Sequence, residues 1–184
     1  MSRIPLTRPS DATGELKSTF EAVHGKFGAV PNGIKALGVS PATLRGYLGF
    51  ADALGSGTLA RAERERIAVL TAQVNECGYC LSAHTLGGRA AGLSDEELLA
   101  SRLGSAADPR AAALLAFAVA VLEHRGDVPD GELAEARAAG LSDAELIEVV
   151  AEVSLNTFTN YANRLVRPEH DFPQVPLRLD REAS

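Results

Sequence analysis

Residues 75–84 read NECGYCLSAH and hold the chain's only two cysteines, Cys77 and Cys80, with His84 four residues further on. A C-x-x-C pair in a chain without other thiols suits a redox dithiol, or part of a metal site, better than inert packing. On a helix, positions 77, 80 and 84 are spaced i, i+3, i+7, so both thiols and the imidazole share one face. Cα atoms three apart on a helix are about 5 Å from one another, a separation that a disulfide tolerates. In the first turn of that helix, free backbone N–H groups and the helix dipole favour a thiolate. Structural zinc normally takes four ligands in two pairs, and here one cysteine pair and one histidine stand without a second pair. A thioredoxin fold would need a strand before CGYC, whereas the preceding IAVLTAQV continues a helical pattern begun at Arg61.

The elements that must carry these residues read as helices throughout. Alanine is abundant, β-branched alternation is missing, and the punctuation consists of helix caps. Ser94-x-x-Glu97 and Ser142-x-x-Glu145 are capping boxes, and Asp108-Pro109 supplies an N-cap followed by proline at the first helical position. Helices are predicted at 11–25, 41–54, 61–74, 77–91, 95–103, 109–125, 130–139 and 143–165. Residues 26–40, rich in glycine and proline, read as a loop with at most one short helical turn. Beyond Arg167, PEHDFPQVP should be extended, and the closing RLDREAS should fray.

Polar residues near Asn75 separate helix 61–74 from helix 77–91. If the two form an αα-hairpin pivoting there, Glu65, ten residues before the pivot, faces His84, nine after it. A carboxylate heading the apolar stripe Val69/Ala72 needs a partner, and His84 would supply it. His24, His124 and His170 are assigned no role; His124 closes a helix C-terminus, where a cation is favoured.

The heptapeptide RAAGLSD occurs at 89–95 and again at 137–143, and the flanking helices align under the same shift of 48 residues. A three-helix unit thus occurs twice, about 61–103 and about 109–165, ahead of a tail over 167–184. Under the shift Cys77 falls on Arg125, Cys80 on Val128 and His84 on Glu132, so the first copy alone carries the chemistry.

At 184 residues and 46% hydrophobic, the chain is expected to form one domain with a sizeable core. A net charge of −6 without a basic block disfavours nucleic acid or an anionic membrane as partner. The start, MSRIPLTRPSDATGEL, lacks the apolar run of a signal peptide, and the longest apolar stretch, 111–122, is too short to span a bilayer. The expected location is the cytoplasm, where a structural disulfide would be unusual.

Glu65, Cys77-x-x-Cys80 and His84, followed by Ala90-x-Gly92, resemble the signature of the alkylhydroperoxidase AhpD-like branch of the carboxymuconolactone decarboxylase family. FGAVPN at 27–32, GLSDEEL at 92–98, NTFTNYANRL at 156–165 and DFP at 171–173 are similar to its peroxidase-related subgroup. The resemblance implies an all-α fold and reduction of hydroperoxides by the dithiol. Glu65 and His84 would form a proton relay to Cys80, with no metal or other cofactor. A protein or lipoyl dithiol would be the reductant, and the chain would assemble as a homo-oligomer, a trimer, hexamer or dimer. One position departs from AhpD proper, which has a histidine between the cysteines where this chain has Tyr79. Because Cys80 is i−4 to His84, it is expected to be the attacking thiolate, with Cys77 as resolving thiol. Two other classes remain open: a non-redox lyase of the carboxymuconolactone decarboxylase type, and a non-enzymatic binding or metal-sensing protein.

Overall fold

Seven consecutive residues of one helix, Arg66 to Ala72, are buried, and a helix buried all round must be packed on every side. The computed structural model describes residues 2–179, and RLDREAS therefore lies mostly outside the described residues. The buried segment belongs to α4 (Arg61–Val74). Before it come α1 (Gly14–Phe27), α2 (Asn32–Leu37) and α3 (Pro41–Gly55). After it come α5 (Gly78–Ala90), α6 (Asp95–Arg102), α7 (Pro109–His124), α8 (Asp130–Ala138) and α9 (Asp143–Val166). The fold is all-α, with no strand among the described residues and no helix there long and apolar enough to cross a membrane. α4 packs against α5, α6, α7 and α9, and α5 also touches α9.

Both copies of RAAGLSD fold into the same helix corner. Gly92 and Gly140 each take φ +91°, a left-handed conformation in which a side chain would be strained. The next residues, Leu93 and Leu141, donate their N–H groups back to the carbonyls of Gly88 and Ala136, closing Schellman caps. Ser94 and Ser142 then open the following helices with complete capping boxes. Arg89–Asp95 at 2.7 Å and Arg137–Asp143 at 2.8 Å bridge the two corners alike.

Residues 26–40 hold more helix than the single turn expected of them, because α2 runs for six residues. The reason is distant in sequence: the Asp171 carboxylate accepts the N–H of Asn32 at 2.5 Å and caps α2 from outside. The tail after Arg167 has no regular structure, as anticipated, but it is not left over. It runs back across α5, where Val175 N donates to Ser82 Oγ at 3.0 Å. The buried guanidinium of Arg102 donates to Pro176 O at 2.7 Å and to Leu177 O at 3.1 Å. Phe172, Val175 and Leu177 thereby join the apolar cluster around Cys77, Tyr79 and Cys80. The tail's apolar side chains are partly buried within the same chain.

Candidate active site

The turn between α4 and α5 consists of Asn75 and Glu76, and it does two jobs at once. Glu76 takes the left-handed conformation, φ +52°. Its N–H returns to Gln73 O at 3.1 Å while Cys77 N–H returns to Ala72 O at 2.9 Å, which is a Schellman cap on α4. Cys77 is also the N-cap of α5, its sulfur accepting the N–H of Cys80 at 3.3 Å. So short a turn keeps the helices antiparallel and fixes their register.

That register brings Glu65 to His84, as the hairpin argument expects: Glu65 Oε2 lies 3.0 Å from His84 Nδ1. The approach is close enough that a Cβ on Gly87 would stand 2.6 Å from the Glu65 carboxylate. Burial works against the His84 imidazolium, but the hydrogen bond and charge of Glu65, together with the charge of Glu152, outweigh it and raise the pKa. Cys77 and Cys80 are both buried, with Cα atoms 5.3 Å apart and their sulfurs at disulfide-bonding distance. Cys80 stands one helical turn before His84 on α5.

The two sulfurs have different surroundings. Asn163 Nδ2 reaches the Cys80 sulfur at 3.4 Å from α9, and Thr159 O lies 3.9 Å away. Cys77 instead lines a cleft of about 330 Å³ together with Glu76, Tyr79, Arg164, Arg167 and His170. Tyr79, between the cysteines, accepts the N–H of Gly33 at 2.7 Å and donates to Asp171 Oδ1 at 2.8 Å. Burial, then the bond to Asp171, pushes its phenol far up, so it stays protonated. Where a histidine would titrate, Tyr79 ties α2 to the tail.

Two further residues beside the site carry no signal of their own in the spacing of the cysteines and His84. Glu152 is buried on α9, 3.7 Å from Arg64 Nε, with Asn156 Nδ2 at 3.4 Å. Burial first, then the negative charges of Glu65 and Glu148, push its carboxyl up to about 7 against the pull of Arg64 and His84. The second is Asn163, and beside the site the ring of His170 lies 5.7 Å from that of Tyr79. For α9 a signal exists. Its buried stripe runs Leu146, Val149, Val153, Asn156, Asn160, Asn163 at helical spacing and turns from apolar to polar halfway along. For His170 there is none. Among the described residues, no group of three or more His, Cys, Asp or Glu could hold a metal ion.

Residues 41–118 match the family model of the carboxymuconolactone decarboxylase family. No curated protein matches the chain in sequence. Among solved structures, the chain is similar to a peroxidase-related protein with the alkylhydroperoxidase AhpD core from Ralstonia eutropha JMP134. The TM-score is 0.84 at 25% identity, over 92% of each chain. A peroxidase-related protein from Silicibacter sp. TM1040 gives a TM-score of 0.79 at 23% identity, over 91% of this chain and 89% of the other. The debrominase Bmp8, solved as a variant in complex with 2,3,4-tribromopyrrole, gives 0.77 at 19% identity over 93% and 94%. The last two likenesses concern the fold.

Proposed function

The chain belongs to the carboxymuconolactone decarboxylase family as an AhpD-like protein, and from that premise we propose that it is a dithiol hydroperoxide reductase. The observation that carries the reading is the Glu65–His84 contact at 3.0 Å, one helical turn from a cysteine pair at bonding distance.

In the reduced protein the His84 imidazolium, held by Glu65, favours the thiolate at Cys80, helped by the Asn163 amide. The thiolate attacks the distal oxygen of ROOH; the O–O bond breaks, Cys80 becomes a sulfenic acid and the alkoxide leaves. His84 supplies the proton that turns alkoxide into alcohol. The Cys77 thiol then attacks the sulfenic sulfur, water leaves, and the Cys77–Cys80 disulfide forms. Two electrons from an external thiol reductant restore both thiols. His84 regains its proton from solvent, and Glu152 is a buried carboxyl near it that titrates around pH 7.

Thiol titration tests this. The reduced protein should hold two reactive thiols and lose both to one equivalent of an organic hydroperoxide, releasing one equivalent of alcohol. Two thiols persisting after peroxide would overturn the reading. Lactone decarboxylation that survives Cys77→Ser and Cys80→Ser together would point to the lyase class instead, and stoichiometric metal without thiol turnover to a binding protein.

A further inference from the structure

The cleft beside Cys77 carries more positive charge than the chain as a whole, whose net charge is −6. Two of its walls are arginines from the C-terminal end of α9. Arg164 is anchored by Asn75 O at 2.7 Å, and its contact to the exposed Glu76 is longer, 3.3 Å. The guanidinium of Arg167, exposed at the C-cap of α9, has no hydrogen bond or ion pair among the described residues. The imidazole of His170 lines the same cleft. Asn163, also in the wall, is nine-tenths buried, and its Nδ2 is committed to the Cys80 sulfur.

Resting on the dithiol reading above, we propose that this cleft is the reductant site, and that it selects a small thiol bearing a carboxylate, which enters against Arg167 and attacks the Cys77 sulfur. The volume is that of a small-molecule pocket, too small to admit a folded partner. Arg167 offers a guanidinium whose donors suit a carboxylate. The chain's overall negative charge opposes an anion only weakly at this range, because charges beyond about 8 Å are screened at physiological salt. The cleft also chooses the sulfur. Both cysteines are buried, but Cys77 is a lining residue of the cleft and Cys80 is not, and Cys80 is the better leaving group, since the Asn163 amide already donates to it.

The exchange runs in two steps. An incoming thiolate attacks Cys77, the Cys77–Cys80 bond breaks, and Cys80 leaves as a thiolate with the bonding pair. A second thiolate attacks the small molecule's sulfur in the mixed disulfide and releases Cys77. Two small thiols are oxidised to one disulfide and the protein gains two electrons.

The experiment starts from the oxidised protein and measures disulfide reduction by three probes: 3-mercaptopropionate, 2-mercaptoethanol and cysteamine, each rate corrected for its thiolate fraction. At low salt the anionic probe should exceed the neutral one by about tenfold, the lower end of electrostatic focusing in a cleft, with the cationic probe slowest. The preference should fade toward unity as salt approaches about 1 M, where the screening length is only about 3 Å. In Arg167→Glu the order of the probes should reverse. Equal rates, a cationic preference or a ratio indifferent to salt would overturn the proposal, and the wild-type salt titration decides this even if the variant folds poorly. Peroxide oxidation of the reduced protein is assayed separately. Charge-selective reduction without peroxide consumption would refute the peroxidase reading alone, and peroxide consumption without charge selectivity would refute the cleft alone.

Discussion

Glu65 and His84, 19 residues apart in sequence, meet across the α4–α5 hairpin with Oε2 3.0 Å from Nδ1. Their contact depends on a two-residue turn at one end and on the missing side chain of Gly87 at the other. Glu65→Gln keeps the shape and removes the charge that holds His84 as imidazolium. Turnover of hydroperoxide should fall by roughly 10²-fold, the scale of one acid-base group. The alkaline limb of the pH profile should move down with the His84 pKa, narrowing the active window. An unchanged rate and profile would leave Glu65 as a structural partner only.

Gly87→Ala isolates the geometry from the charge. Alanine is favoured over glycine inside a helix by about 1 kcal/mol, so the melting temperature should hold or rise. The new Cβ would stand 2.6 Å from Glu65 Oε1, so the carboxylate must swing away from His84. Turnover is expected to drop toward the level of Glu65→Gln in a protein that is no less stable. Full activity at higher stability would show that the relay tolerates displacement.

The two thiols should separate by chemistry. Cys80→Ser should abolish both peroxide consumption and sulfenic acid formation, while Cys77→Ser should yield one sulfenic acid per chain and then stall or over-oxidise. Mass spectrometry after dimedone trapping checks both. A sulfenic acid on Cys77 in Cys80→Ser, formed at the wild-type rate, would reverse the roles.

Glu152 makes stability depend on pH. Its folded pKa, about 7, lies above the ordinary 4.5, so between those values the native state binds more protons than the unfolded one. The stability it contributes is fully present below about pH 4.5 and is lost as pH rises through about 7. Glu152→Gln does not titrate. Its unfolding free energy relative to wild type should therefore climb between about pH 5 and pH 8, by on the order of 3 kcal/mol. Parallel urea curves for the two proteins across that range would refute the assignment.

The outer face of α9 presents Phe158, Tyr161 and Leu165 at i, i+3, i+7, all exposed, and Phe50 of α3 and Phe158 line one apolar pocket. This stripe is a surface that a partner copy would bury. Light scattering should give a multiple of the 19.3 kDa chain. A monomer mass at micromolar concentration would contradict the expected homo-oligomer.

Cys77, Cys80 and His84 were legible because one helix orders them, and caps such as Ser94/Glu97 because their hydrogen bonds close within a few residues. Glu65 was legible at one remove, since a short hairpin turns sequence distance into spatial register. The tertiary structure alone decided what stands on the other side of the thiols. Asn163 reaches Cys80 across 83 residues, Asp171 reaches Tyr79 across 92 and caps α2 across 139. These contacts depend on the angle at which α9 crosses α4 and on where an irregular tail turns back. Neither quantity leaves a periodic trace in the residues that make it. Helix propensity and capping are local free energies, each set within a turn or two. The crossing of helices and the seat of the tail are set by packing summed over the whole core, and there a buried asparagine reads in sequence like an ordinary surface one.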